Sequence, residues 1–138
     1  MNRLSLRCFA MAMLLAFAGT AFAQGLSIDI TDGSSTADPI AVVPFAFEGA
    51  GLPPETDVSE IVRADLARSG KFFTLGRRDI IEFPTRESEV KFATWRMLKQ
   101  NYLVVGRLAD AGDGALRVEF ELFDVARQSR MMGLAISG

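Results

Sequence analysis

Pro39 opens the run Ile40-Ala41-Val42-Val43-Pro44-Phe45-Ala46-Phe47, the most continuous apolar stretch downstream of residue 23. A strand that is apolar at every position has no face to give to water, so it must be covered on both sides. Pro44 has no N–H to donate to a ladder, which predicts a bulge or a strand end at that residue.

The residues after this run supply a cover. Glycines and the Pro53-Pro54 pair make residues 48–54 a loop. Asp57-Val58-Ser59-Glu60 then offers an N-cap acid with a glutamate three residues later, the arrangement of a capping box. Val58, Ile61, Val62 and Leu66 recur at helical spacing, and Ser69-Gly70 is a C-terminal stop, so the pattern predicts a helix over about 57–69. Asp65 lies on that stripe, either at its edge or bonded to a buried partner. Lys71-Phe72-Phe73-Thr74-Leu75 reads as the next strand, which completes a strand, helix, strand crossover. The turn Gly76-Arg77-Arg78-Asp79 leads to a short Ile80-Ile81 segment that Pro84 ends.

A mixed helical pattern with Trp95 partly buried predicts a second helix over 88–100. Three strands close the chain: Tyr102 to Leu108, Ala115 to Val125 after the Gly112-Asp113-Gly114 turn, and Met131 to Ile136. Leu116, Val118, Phe120 and Leu122 share one parity and are expected to face the core. The fold class is α/β: a single domain with a mixed sheet of about five strands and two helices. No internal repeat of useful period is present.

The first 23 residues have a basic start at Arg3 and Arg7, an apolar run from Cys8 to Ala18, and the small-x-small tripeptide Ala21-Phe22-Ala23. They read as a secretory signal peptide cut between Ala23 and Gln24. The apolar run is shorter than the roughly 20 residues a spanning helix needs, so no integral membrane segment is expected after cleavage. The organisation is thus a signal over 1–23, an N-terminal segment and connector over 24–38, and the α/β domain over 39–138.

Composition narrows the chemistry. The sequence has no histidine, and its one cysteine, Cys8, lies inside the signal. That removes imidazole bases, thiolate nucleophiles, disulfides and the usual zinc ligand sets, so no metal, cofactor or catalytic residue is expected. Loss of Arg3 and Arg7 leaves 13 basic against 17 acidic residues, a net charge of −4 that makes nucleic acid a poor partner. Asp29, Asp32 and Asp38 lack the alternating ligand spacing of a calcium loop. Gly49-Ala50-Gly51 is followed by prolines where a phosphate loop needs a third glycine and an opening helix.

One segment is harder to account for by structure alone. Residues 24–32 alternate apolar and polar, with Leu26, Ile28 and Ile30 on one side, yet a loose connector tethers them. Such a strand can pair with its own sheet or with a partner's edge.

Taken in order, Ile30-Thr31-Asp32-Gly33, residues 39–45, Asp65-Leu66, Ser69-Gly70-Lys71-Phe72, Leu75-Gly76-Arg77, Trp95, Asn101-Tyr102-Leu103-Val104-Val105-Gly106 and Leu122-Phe123-Asp124-Val125 resemble the amino-terminal domain of TolB, the periplasmic component of the Tol-Pal envelope system. The resemblance implies an α/β domain ahead of a six-bladed propeller that holds the lipoprotein Pal. This sequence contains no propeller repeat, so it reads as a truncated product or a fragment, which puts the Pal binding that the resemblance implies in doubt for it. The family's domain continues with a helix after its last strand, so one sheet face here is expected to lack that cover.

The resemblance also implies that the processed N-terminus engages the inner-membrane protein TolA or folds back on its own protein. The matching positions are Leu26, Ile28, Asp29, Ile30, Thr31, Asp32 and Gly33. The implied role is that of a non-enzymatic periplasmic adaptor supporting outer-membrane integrity and envelope constriction. The alternative is an exported small-ligand-binding module of the same fold, with its site around Phe45 to Leu52.

Overall fold

A computed structural model describes residues 36–138. The expected signal over 1–23, its Ala23/Gln24 cleavage site and the expected strand at 26–30 lie outside the described residues. Within them, the apolar run forms two strands, β1 (Asp38–Val42) and β2 (Ala46–Phe47). Both pair in parallel with the same long strand, β4 (Tyr102–Gly112), β1 at its start and β2 further along. Pro44 sits at the break, as its missing N–H requires, and the split accounts for the sixth strand of the sheet.

From β2 the chain runs through a loop to helix α1 (Val58–Arg68) and returns in β3 (Phe72–Thr74), parallel to β1. The capping signal acts as expected: the Asp57 side chain accepts a hydrogen bond from the Glu60 amide. Past the C-cap Ser69, Gly70 adopts φ +70°, a conformation that is strained for residues with a Cβ. The buried stripe differs from expectation. Ser59 is buried and Val62 and Leu66 pack on the sheet, whereas Ile61 is 48% exposed. Asp65 takes the edge position, paired on the surface with Arg68 at 2.6 Å.

The second helix is shorter than the pattern suggests. A 3₁₀ turn (Glu87–Glu89) precedes α2 (Phe92–Met97), because Val90 and Lys91 are extended, with ψ of 120° and 91°. That extension lets Val90 pack against the core, and Lys99, at φ 59°, follows the helix end. Trp95 is fully rather than partly buried. Another 3₁₀ turn, Arg77–Asp79, delivers Ile80 into the core without a strand.

The sheet runs β3-β1-β4-β5-β6, with β5 (Ala115–Asp124) and β6 (Ser129–Ser137) antiparallel additions to the parallel part. Asp113 and Gly114, at φ 51° and 76°, make the tight turn between β4 and β5. Odd-numbered β4 residues Leu103 and Val105 join Ala41, Val43, Trp95, Phe123 and Val125 in one core layer. Ile40, Val42 and Val104 form the other layer, covered by Val62 and Leu66 of α1. The expected parity of β5 is therefore only half the account. Phe120 and Leu122 do pack on the α1 side, but Phe123, of the opposite parity, is the fully buried residue of the strand. It lies beneath α2, where Phe92 meets it edge to face at 5.9 Å.

Candidate docking surfaces

The α1 layer does not extend over the whole sheet. Among the described residues, an apolar groove of about 350 Å³ opens between α1 and the β5–β6 hairpin. Val62 and Leu66 form one wall, Phe120, Leu122 and Met132 the other, and Phe72 and Tyr102 meet edge to face between them. The patch continues along β6, where Met131, Met132, Leu134 and Ile136 are 53, 48, 47 and 53% exposed. Four large apolar side chains on one exposed strand are characteristic of a surface that meets another chain segment.

The opposite face of the same strands is charged. Arg107 of β4 stands opposite Glu119 of β5 in the register and forms an ion pair with it, and Arg117 donates to Glu119 at 2.7 Å. Hydrogen bonding from Arg117 holds the Glu119 carboxyl below its usual range against partial desolvation, with Arg107 adding to the effect. Arg130 of β6 donates to Glu121 at 2.9 Å, and Glu48 bridges Arg86 and Arg107. These basic groups are thus engaged within the chain.

A third cluster ties α1 to the turn after β3. Ser59 donates its hydroxyl to Asp57, and Arg77 Nη1 donates to Asp57 Oδ2 at 2.7 Å. Partial burial alone would push the Asp57 carboxyl up. The hydrogen bonds from Ser59, Arg77 and the Glu60 amide outweigh it and hold the group below its usual value. The arrangement fastens the start of α1 to the turn after β3.

The partner-binding positions inferred from the sequence, Leu26, Ile28, Asp29, Ile30, Thr31, Asp32 and Gly33, lie outside the described residues. Sequence patterning does not single out the β6 surface residue by residue. Its signal is the absence of any charge between Met131 and Gly138. Around Phe45, Phe47, Pro53 and Pro54 the structure encloses about 190 Å³. No helix among the described residues is long and apolar enough to cross a membrane.

Comparison with known proteins bears on these surfaces. The family model described as the TolB amino-terminal domain matches residues 26–131. The chain is 59% identical over 126 residues to the Tol-Pal system protein TolB of Xanthomonas euvesicatoria, covering 91% of this chain and 29% of that protein. It is 58% identical over 126 residues to the protein of the same name from Xanthomonas campestris, again covering 91% and 29%. The chain thus spans less than a third of the length of these relatives. Among solved structures, TolB from Acinetobacter baumannii superposes with a TM-score of 0.57 at 25% identity, over 72% of this chain and 23% of that one. The LpoB C-terminal domain from Salmonella enterica, at 13% identity, shares the fold with a TM-score of 0.60 over 74% and 82% of the two chains. With the family model matching from Leu26 to Met131, the chain belongs to the TolB amino-terminal domain family.

Proposed function

We propose that the chain serves as a non-enzymatic adaptor of the Tol-Pal system in the periplasm, coupling envelope components through protein contacts. The observation that carries this reading is the extent of the family match, which begins at Leu26 and so takes in the segment 26–33 as well as the α/β domain. The relatives that cover most of the chain bear the name Tol-Pal system protein. In this reading residues 1–23 are a signal, cleavage after Ala23 frees the N-terminal segment, and that segment engages a TolA-like inner-membrane protein. Strand addition is the physical means: backbone hydrogen bonds supply pairing, and Leu26, Ile28 and Ile30 supply selectivity. Support for outer-membrane integrity and envelope constriction would follow from that coupling. Pal binding is assigned to the family's propeller and not to the residues of this domain.

Titration of the purified protein with the periplasmic part of a TolA protein tests this reading, with and without residues 24–33. The alternative of a small-ligand site at Phe45 to Leu52 finds less support. The space there, about 190 Å³, falls below the ~300–1,000 Å³ of ordinary ligand pockets.

A further inference from the structure

Pro84 is buried and Val90 packs on the core, but Thr85 to Glu89 between them carry no large apolar side chain, and Arg86 to Glu89 are exposed. Apolar burial therefore holds the two ends of this segment and not its middle. Charge holds the middle. Arg86 pairs with Glu48 just past β2, and Arg107 of β4 donates to the Thr85 carbonyl at 3.5 Å. The Glu87 amide donates to Glu121 of β5 at 3.2 Å, and Arg130 of β6 stands 3.9 Å from the Glu87 carboxylate. Each tie uses a charged side chain, and all of them lie between residues 48 and 130, away from both ends of the sequence.

On the sheet side the anchors are fixed by bonds of their own. The Glu48 amide donates to the Leu108 carbonyl at 2.7 Å, Arg107 pairs with Glu119, and Arg130 donates to Glu121 at 2.9 Å. The segment itself is a small turn: Glu89 accepts from the Thr85 amide and hydroxyl, and the Glu89 and Val90 amides donate to the Arg86 and Glu87 carbonyls at 3.1 and 3.0 Å. Arg86 and Glu48 are 44 and 40% exposed, and Arg130 and Glu87 51 and 56%. Ion pairs this open to solvent are individually weak, and salt screens them as the Debye length falls from ~30 Å at ~0.01 M to ~3 Å at ~1 M. Trp95, Leu103 and Val105 are held by apolar packing, which lacks that sensitivity.

We propose that residues 85–89 form a strap that charge latches onto the sheet and that opens on its own as ionic strength rises, while the rest of the domain stays folded. Opening parts the Glu87 amide from Glu121, frees Arg107 and Arg130 from the strap, and leaves the short turn without its supports. The inference is independent of TolA binding.

The test is amide hydrogen exchange of the purified protein, resolved by NMR at one pH in about 0.02 M and about 1 M sodium chloride, which span the screening range. Corrected for intrinsic rates, exchange of the Glu87, Glu89 and Val90 amides is expected to be at least about threefold faster at high salt, while the Leu103 and Val105 amides change by less than about twofold. Two variants report on the latch. Arg86→Gln removes the tie to Glu48, and Glu121→Gln keeps an acceptor for the Glu87 amide but not the charge that Arg130 meets. Both are expected to keep the native circular dichroism, to speed exchange of the same three amides at low salt, and to reduce its response to salt. If one variant fails to fold, the other decides. Equal exchange at both salt concentrations, a rise shared by Leu103 and Val105, or a folded variant that exchanges like wild type would overturn the proposal.

Discussion

Arg77 reaches back from the turn after β3 to donate to Asp57 at the N-cap of α1, with 2.7 Å between Nη1 and Oδ2. The bond fastens the far end of the crossover to its beginning, and Ser59, itself buried, donates to the same carboxylate. Asp57→Ala is expected to lower stability in urea by about 0.5–2 kcal/mol, the range for losing an N-cap. The Asp57–Arg77 coupling in a double-mutant cycle should stay below about 1 kcal/mol, since both side chains are substantially exposed.

The same carboxyl predicts a pH dependence. Its folded-state pKa is depressed, so its ionised-form contribution is complete above the ordinary carboxylate value and is lost as pH falls through the depressed one. Asp57→Asn keeps a capping oxygen but not the charge. Wild type should therefore exceed this variant in stability near neutrality, and the difference should shrink below about pH 4. Urea titrations from pH 7 to pH 3 check it, and a difference that grew with acid would contradict the assignment.

Trp95 is the sole tryptophan and is fully buried, so its fluorescence reports directly on the α2 layer. Emission should be blue-shifted in the native protein and move to the red cooperatively on unfolding. Trp95→Phe should cost less than Trp95→Ala, which leaves a cavity worth about 3–5 kcal/mol. The indole N–H lacks a protein hydrogen-bond partner, so phenylalanine would not abandon such a bond.

Gly106 lies where β4 passes close under Phe45. A Cβ there would meet the Glu119 carbonyl oxygen at 2.8 Å and the Phe45 ring at 2.8 Å. Gly106→Ala should destabilise by about 1–3 kcal/mol, the usual cost of overpacking, with thermal denaturation as the readout. Phe45→Leu combined with it should recover part of the loss by removing one of the two obstacles.

Much of this architecture is legible in the sequence because local signals and tertiary needs agree. The Asp57 cap, the Ser69-Gly70 stop and the Gly112-Asp113-Gly114 turn act where the sequence places them, and Pro44 breaks the strand it interrupts. The expectations that shift depend on packing. Ile61, expected on the buried stripe, is half-exposed, while Ser59, bonded to Asp57, is buried. Val90 leaves the helical pattern because the core draws it in. In β5, Phe123 is buried by α2, a cover that strand periodicity alone does not reveal. The family resemblance rests on several short pieces in order, and the family model matches residues 26–131, a range that contains them all.

The proposed adaptor role rests on the segment proposed to begin after Ala23. Isothermal titration of the purified protein into a TolA periplasmic domain should show binding that disappears when residues 24–33 are deleted, and that weakens strongly when Leu26, Ile28 and Ile30 are replaced together by aspartate. Absence of binding by the intact segment, or equal binding after its deletion, would contradict the adaptor reading.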